Sequence, residues 1–476
     1  MRDLLRRLVK QALLRRVLAE DSRQRATLPD RERTLAPSLW ACAINEAGHL
    51  SLQDIDLVEL AAQHDSPLHV VDKQRLQDNY REFVGAFRAR YPNTELGTSY
   101  KTNPLPGVLQ ALHEIGSYAE VISEFELWLA LRLGMPGERI IVNGPGKGPA
   151  GIRLAIEQGV RIINIDSLYE IDLAAEHAAR LGRVQDVGVR LVTSVGWSAQ
   201  FGLSIASGAA RDAFAAIAAQ PSLRAAGIHI HLGTGIKSIP TYVQAIRECL
   251  EFADAMAQEF GVRMRILDFG GGFGVPTVRT RDHWDERLMA FGYPARQALT
   301  SQAPKPADYA KPIVELVRRH YPDAGTAPEL VFEPGRAITS SAQLLLLSVL
   351  TRKTGVDGTA NLIVNGGKNL SMPLEWESHR VFPASRMNAT ATATCNVYGP
   401  LCHPGDIIDR NLALPELAAG DVLAIMDAGA YFTPNEMNFS NPRPAVVMID
   451  DGKVKPIRDR ETFADIVRRD ALPDAP

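Results

Sequence analysis

The sequence has little that would favour a secreted, membrane-embedded or nucleic-acid-binding protein. Its 476 residues include only four cysteines, which are widely spaced and form no C-x-x-C pair. This argues against a disulfide framework and a structural zinc site. The net charge of −3 indicates no polyanionic partner, and no apolar run is long enough to cross a bilayer. We therefore expect a cytoplasmic globular protein that is large enough for two domains.

The first 37 residues differ from the rest of the chain. Five apolar side chains can share one helical face among arginines: Leu4, Leu8, Leu14, Val17 and Leu18. They do not form the uninterrupted apolar core of a signal peptide. A basic amphipathic helix of this kind can lie on a membrane, bind a partner or pack on its own protein. Residues 22–37 are polar, and we interpret them as a linker.

Between residues 71 and 337, short apolar segments alternate with stretches of helix length. The eight strand-like segments are TELGTSYK (94–101), YAEVIS (118–123), RIIVN (139–143), RIINID (161–166), VGVRLV (187–192), GIHIHL (227–232), RILDF (265–269) and ELVFEP (329–334). Strands that alternate with helices are parallel, and eight of them close a (β/α)8 barrel. An open doubly wound sheet fits the same pattern. Residues 275–310 show no periodicity and are interpreted as an insertion over the barrel mouth.

A second domain is predicted from both ends of the chain. Residues 338–460 contain short strand signals with Gly, Asn and Asp turns, which is typical of a mostly antiparallel β domain. The segment SLWACAINEAGHLSL, within residues 38–70, also has strand character and could pair with the C-terminal strands. Residues 461–476 are interpreted as a tail.

The ends of the predicted barrel strands carry polar and glycine-rich segments. Lys101 ends the first strand and His231 ends the sixth, while GGGFG (270–274) and EPGR (333–336) follow the seventh and eighth. In such barrels the functional groups lie on loops after the carboxyl ends of the strands, and phosphate sites recur after strands seven and eight. We therefore expect an amine, a flat ring, a phosphate cradle and a carboxylate to meet there.

Each of these features alone has an ordinary structural explanation. Lys101 could extend its ammonium into solvent at a strand end. His229 and His231 could be zinc ligands or core residues on one strand face, and the glycines could form a plain turn. Together, however, they match the needs of pyridoxal phosphate. Its aldehyde needs a lysine, its phosphate needs glycine amides and an arginine, and its pyridine nitrogen needs an acid partner.

From about residue 39 to 450 the chain resembles the fold type III, pyridoxal phosphate-dependent decarboxylases of the ornithine, diaminopimelate and arginine decarboxylase family. Their barrel is similar to the N-terminal domain of alanine racemase. The resemblance implies that Lys101 is the Schiff-base lysine, that His231 stacks on the pyridine ring and that Glu333 partners its nitrogen. It implies a further set of residues at the phosphate: Thr234 (where the family usually has serine), Gly271, Gly272, Gly335, Arg336 and Tyr431.

The resemblance also implies a homodimer with shared active sites. GPLCHPGD (399–406) matches the family loop whose cysteine and final aspartate enter the partner subunit's site. Cys402 would then return a proton after carbon dioxide leaves. Asp406 would line the substrate pocket, together with Arg336 and Tyr431. No metal is implied.

Departures from the family pattern concern the substrate. The residue after the loop cysteine is usually an acid that reads the distal ammonium of the substrate, but here it is His403. The Arg-Pro segment that helps to bind the substrate carboxylate in diaminopimelate enzymes is replaced by SMPLEWESH (371–379), where Glu375 or Glu377 could supply the missing charge. Glu120 stands where aspartate is usual. We expect decarboxylation of a diaminopimelate-, ornithine- or lysine-like amino acid or of a derivative from specialised metabolism.

Two other functions fit the same barrel and cofactor. A racemase of the alanine racemase type would place a tyrosine as the opposing acid–base group, where this chain offers Cys402. A non-catalytic homologue that only binds pyridoxal phosphate would not need both Lys101 and Cys402, and the chain contains both. The sequence therefore favours a decarboxylase.

Overall fold

The computed structural model describes residues 2–323, 325–356 and 358–471. In this part of the chain the strands β1 to β23 are, in order, Cys42–Ile44, Leu50–Leu52, Ile55–Asp56, Leu68–Asp72, Thr94–Ser99, Tyr118–Val121, Ile140–Val142, Ile162–Ile165, Gln185–Val192, Leu203–Ser204, Leu223–His229, Ile266–Asp268, Arg279–Thr280, Glu329–Phe332, Gln343–Thr354, Ala360–Val364, Glu377–Ser378, Val381–Phe382, Ala393–Tyr398, Ile407–Leu414, Val422–Ile425, Ala445–Asp450 and Lys453–Arg458. The helices α1 to α14 are Arg2–Ala26, Asp30–Arg33, Leu57–Gln63, Lys73–Arg88, Pro106–His113, Glu124–Arg132, Pro149–Glu157, Leu168–Arg180, Ala209–Ala218, Ile239–Phe260, His283–Ala290, Pro306–His320, Arg336–Thr339 and Phe463–Val467.

One compact unit, Gln77–Gly274 with Pro304–Ile338, contains the predicted barrel. Its parallel strands pair in the order β9-β11-β12-β14-β5-β6-β7-β8, and β8 also pairs with β9, so that the sheet closes on itself. All eight strands overlap the predicted segments, but the sixth, β11, ends at His229, so His231 lies two residues beyond the strand that it was predicted to end. The (β/α)8 barrel is therefore confirmed, and the open-sheet alternative is wrong.

The barrel forms because its strands and helices have different apolar patterns. Strand β8 reads IINI and is buried at every position, which suits a parallel strand covered on both faces. Helix α10 instead buries Tyr242, Ala245, Ile246 and Cys249, a spacing that defines one helical face. The hydroxyl of Ser238 caps its first turn by accepting the Thr241 N–H. Helix α10 thus has one apolar face to bury.

The second unit is Met1–Leu76, Val275–Ala303 and Thr339–Pro476, so both ends of the chain build it, as predicted. Its main sheet has the order β20-β19-β16-β15-β4-β22-β23, and β21 also pairs with β15. The N-terminal strand in this sheet is β4, which pairs antiparallel with β15 and parallel with β22. The 38–52 segment does not pair there. Its strands β1 and β2 form a separate sheet with β3.

The N-terminal extension is helical over Arg2–Ala26, so the first residues of the predicted linker belong to α1. Leu14 is buried, and the Arg25 guanidinium donates to the carbonyls of Gln297 and Ala298 at 3.0 and 3.1 Å. The C-terminal part of α1 therefore packs on the unit to which it belongs. None of the helices in the described ranges combines the length and hydropathy that a bilayer span requires.

Candidate active site

Lys101 lies just beyond the end of strand β5, in a short 3-10 turn formed by Tyr100–Thr102. Its Nζ is 3.3 Å from Oε2 of Glu120, which lies on strand β6 and has no solvent exposure. The lysine side chain itself remains 29% exposed. An ion pair thus holds the amine at the carboxyl end of the barrel while leaving it accessible, as an attacking amine requires.

The side-chain amide of Asn143 connects this ion pair to Glu333. The Asn143 amide donates to Oε1 of Glu120 at 2.9 Å and to Oε1 of Glu333 at 2.6 Å. Its own Oδ1 accepts from the Asn164 amide at 2.8 Å. The sequence analysis did not identify Asn143 as a site residue. Its position in the sequence could have identified it as a site residue, because Asn143 directly follows strand β7.

Glu333 lies in a buried cluster with His229 and Asp268 at the same end of the barrel. Burial alone would raise the pKa of Glu333, but His229, Asp268 and Lys101 outweigh it and lower the pKa of this carboxyl. Burial and the Glu333 charge raise the pKa of Asp268 well above its usual range. The two pKa values shift in opposite directions, so the cluster disfavours two negative charges and favours the charge on Glu333 over a charge on Asp268. The cluster could geometrically hold a metal ion, so its freedom from metal stays a prediction.

The glycine turn after strand β12 makes close approaches that a side chain would block. A Cβ on Gly271 would lie 2.2 Å from the carbonyl oxygen of Glu333. A Cβ on Gly272, which has a φ of +88°, would lie 2.2 Å from the carbonyl oxygen of Gly233. The backbone of the turn consequently packs against two neighbouring segments where no side chain would fit, and a glycine-rich turn after a strand is suited to binding a phosphate.

His231 contacts the same turn. The Gly271 N–H donates to its Nδ1 at 3.3 Å, which places the proton of the neutral ring on Nε2. Burial and the nearby Lys101 charge lower the pKa of His231 to about 3. Its ring also packs against Trp197, with the ring centroids 5.9 Å apart. His231 is therefore a neutral, flat ring at neutral pH.

The turn after strand β14 lies against the turn that carries the lysine. A Cβ on Gly335 would lie 2.1 Å from the hydroxyl oxygen of Thr102. That hydroxyl is buried and has no hydrogen-bond partner within the described ranges. Arg336, which follows Gly335 in the chain, is buried. Thr234 is exposed. The predicted barrel residues thus converge on one end of the barrel. An accessible amine, a neutral ring, a glycine cradle and a buried carboxylate fit pyridoxal phosphate.

Replacing Gly271 by alanine is expected to weaken pyridoxal phosphate binding by about 10- to 100-fold, because forced backbone shifts of this kind cost about 1–3 kcal/mol. The measurement is an absorbance titration of the cofactor-free protein with pyridoxal phosphate. Gly85→Ala is the matched control, since a Cβ there meets nothing within 4 Å. Equal affinity of Gly271→Ala and wild type would rule out this turn as the phosphate cradle.

The remaining predicted site residues belong to the second unit. Asp406 is buried, and its carboxylate accepts from the Lys368 N–H at 2.6 Å and from the Leu401 N–H at 2.7 Å. It therefore fixes the loop that carries Cys402 and His403, and its role at the substrate stays a prediction. Cys402 and His403 are both exposed.

Tyr431 adopts a left-handed backbone conformation with a φ of +66°, which is unusual for a tyrosine. The loop before it is fixed by Asp427, whose buried carboxylate accepts from Trp40 and Thr277, both at 2.9 Å, and from Ser340 at 3.2 Å. A strained residue held by a rigid loop is characteristic of binding sites.

The two glutamates proposed to compensate for His403 have different surroundings. Glu377 is buried and lies 3.0 Å from Nε2 of His379. Glu375 is exposed and forms an ion pair with the ammonium of Lys368, a residue that the sequence analysis did not identify. Neither carboxylate is therefore free of a cationic or donor neighbour.

The barrel and the site at its carboxyl end define an enzyme that uses pyridoxal phosphate. Residues 77–340 match the family model described as "Pyridoxal-dependent decarboxylase, pyridoxal binding domain". Diaminopimelate decarboxylase of Methanothermobacter thermautotrophicus is 30% identical, over 90% of this chain and 97% of its own length. A crystal structure of diaminopimelate decarboxylase from M. jannaschii superimposes with a TM-score of 0.81 at 27% identity, covering 91% of this chain and 98% of that one. Lysine decarboxylase from Selenomonas ruminantium gives 0.69 at 25% identity, covering 84% and 96%.

The chain therefore belongs to the family of pyridoxal phosphate-dependent decarboxylases to which the ornithine and diaminopimelate enzymes belong. It is an amino-acid decarboxylase, a carbon–carbon lyase, with pyridoxal phosphate as its cofactor. The racemase and the non-catalytic homologue are set aside.

Proposed function

We propose that the barrel residues described above hold pyridoxal phosphate, with Lys101 as the amine that anchors it. The single observation that carries this proposal is the connected set Lys101–Glu120–Asn143–Glu333 at one end of the barrel. It links a reachable amine to a buried carboxylate, which are the two groups that opposite ends of the cofactor ring require. Gly271, Gly272, Gly335, Arg336, Thr234 and Tyr431 are proposed to contact the phosphate, and Arg336 and Tyr431 also the substrate.

The roles of the chain's own groups follow from their protonation. The anionic Glu333 would hold a proton on the pyridine nitrogen, and the neutral His231 would cover one ring face without adding charge. When bound, pyridoxal phosphate supplies an electron-accepting ring for the electron pair that remains when carbon dioxide leaves. The amine and carboxylate of the protein would then keep the reacting atoms oriented.

Cys402 is proposed to return the proton to the substrate carbon. Of the four cysteines, all in described segments, only Cys402 is exposed. Burial raises the pKa of Cys395 to about 11 and that of Cys42 to about 12, and it also raises the pKa of Cys249. The three buried thiols are thus poor proton donors and unreachable. All four thiols are free, which supports a reducing, cytoplasmic location.

We further propose that the working unit is a homodimer in which Cys402 serves the site of the partner subunit. In that case, mixing Lys101→Ala protein with Cys402→Ala protein should regenerate about a quarter of the sites, because statistical exchange leaves one intact site in half of the dimers. The measurement is carbon dioxide release after subunit exchange, with the exchange followed independently.

The matched control mixes Lys101→Ala with Glu333→Gln protein. Both changes affect groups contributed by the same subunit, so every site in this mixture carries at least one defect. Recovery in the first mixture and none in the second supports the shared site. No recovery in the first mixture despite complete exchange would contradict it.

The substrate is proposed to differ from that of the relatives named diaminopimelate decarboxylases. His403 replaces the acid that would pair with a distal ammonium, and the Arg-Pro segment is missing. A buried ammonium without an acceptor charge is costly, so a site that lacks the acid should disfavour it. Carbon dioxide release measured over a panel of amino acids tests this proposal. Preferred turnover of diaminopimelate would contradict it.

A further inference from the structure

We propose that Lys368 and His403 together form a binding site for the distal carboxylate of an acidic amino-acid substrate. This inference rests on the proposed function, because it concerns the side-chain end of the molecule that is decarboxylated. It is carried by the hydrogen-bonding roles of two side chains that lie next to each other.

The first observation is that His403 presents a donor. The Gly405 N–H donates to Nδ1 of His403 at 3.0 Å, so the neutral ring carries its proton on Nε2. If the ring is protonated, Nε2 still carries a hydrogen. In both states the exposed nitrogen of His403 donates, whereas the acid usual at this position accepts. This position therefore favours a hydrogen-bond acceptor on the substrate, whereas the usual acid favours a donor.

The second observation is that Lys368 lies beside His403. A Cβ built on Gly405 would lie 2.8 Å from Cε1 of His403 and 3.6 Å from Nζ of Lys368. The ammonium and the imidazole thus flank the same backbone position. An ammonium has three donors and no acceptor. Two neighbouring groups that only donate are suited to a carboxylate and not to an ammonium.

The third observation is that both groups stand on a rigid support. The Asp406 carboxylate binds the backbone N–H of Lys368 and that of Leu401, and so ties the two turns together. Gly367 and Gly399 pack directly on the same carboxylate, since a Cβ on them would lie 2.1 and 2.3 Å from its oxygens. The spacing between the ammonium and the imidazole is consequently fixed before any substrate binds, which favours binding.

The fourth observation concerns the acid that now neutralises Lys368. Glu375 forms an ion pair with its ammonium, but the glutamate side chain is 54% exposed and that of the lysine is 27% exposed. Exposed ion pairs contribute little free energy. A substrate carboxylate that also binds Nε2–H of His403 can therefore displace Glu375 from Lys368.

The aliphatic part of such a substrate would find an apolar flank. Phe439 approaches His403 edge-on, with ring centroids 6.4 Å apart, and is 46% exposed. Met437 is 41% exposed, and its N–H donates to the carbonyl of Asn369, the neighbour of Lys368, at 3.0 Å. The donor pair is thus bordered by apolar side chains that can contact methylene groups.

The test compares wild type, Lys368→Met and the control Lys353→Met, which removes an exposed lysine from strand β15. Substrates are glutamate and 2-aminoadipate, amide-ended glutamine, and ammonium-ended ornithine and lysine. We expect wild type to prefer the acid-ended substrates by at least about tenfold in kcat/KM. Lys368→Met should lower kcat/KM for the acid-ended substrates by about 10-fold or more, mainly by raising KM. The reason is that losing one charged contact of about 1.4 kcal/mol lowers affinity about tenfold. Lys353→Met should match wild type.

A second variant and a binding measurement keep the outcomes distinguishable. His403→Glu should shift the preference towards ornithine and lysine. Calorimetry should show binding of glutarate but not cadaverine to wild type, and loss of glutarate binding in Lys368→Met. The inference would be overturned if wild type preferred the ammonium-ended substrates. It would also be overturned if glutarate did not bind wild type, or bound Lys368→Met equally well. None of these results would contradict the assignment as a decarboxylase. Failure of Lys101 to capture pyridoxal phosphate would instead contradict the proposed function.

Discussion

The Lys101→Ala enzyme is expected to release carbon dioxide at least about 10³-fold more slowly than wild type and to capture no pyridoxal phosphate covalently. The amine of Lys101 is an accessible cation at the barrel end, and Glu120 holds it there from 3.3 Å. Its loss removes both the anchor for the cofactor aldehyde and the group that exchanges with the substrate. Borohydride reduction followed by peptide mass analysis measures the capture, and gas release measures the activity.

The matched control for this prediction is Lys311→Ala, which removes an exposed lysine from helix α12 of the same unit. Its activity and its labelled peptide should equal those of wild type. Full turnover by Lys101→Ala, or a borohydride label on another lysine, would show that Lys101 is not the anchoring amine.

The barrel could be predicted from the sequence because its signals are local. A strand such as Ile162–Ile165 is apolar at nearly every position, and a helix such as α10 repeats apolar residues on one face. The pairing of the β domain is not a local property. Residues 38–52 and the strand Leu68–Asp72 both have strand character, and only packing with β15 and β22 selects the second for the main sheet.

The site residues also divide into those with a local sequence signal and those that depend on distant contacts. Lys101, His231 and the glycine turn were predicted because each stands at a strand end in a recognisable motif. Asn143 was missed because its importance depends on a contact with Glu333, 190 residues away in the chain. Lys368 was missed because only the folded loops bring it beside His403. A single asparagine or lysine outside a motif can be assigned a role only when its contacts are known, and those contacts are determined by the tertiary structure.

The Glu333→Gln enzyme is expected to lose about 10²- to 10³-fold in carbon dioxide release at neutral pH, in line with the loss of one preorganised electrostatic contact. Glutamine keeps the size of the side chain but removes the negative charge that would hold a proton on the pyridine nitrogen. The control is Glu329→Gln at the start of strand β14, which Glu333 directly follows; the Glu329 carboxylate pairs with Arg161. It should change stability and leave the rate largely intact.

The pH dependence of Glu333→Gln separates an electrostatic role from a structural one. Burial and the Glu333 charge both raise the pKa of Asp268, so removing that charge lowers its pKa towards the working range. As the pH rises, Asp268 should ionise and return a carboxylate to the cluster, and the rate of Glu333→Gln should partly recover relative to wild type. The double variant with Asp268→Asn should show no recovery, because it has no carboxyl left to ionise. A pH profile that is identical in the single and double variants would mean that the charge at this position does not support the reaction.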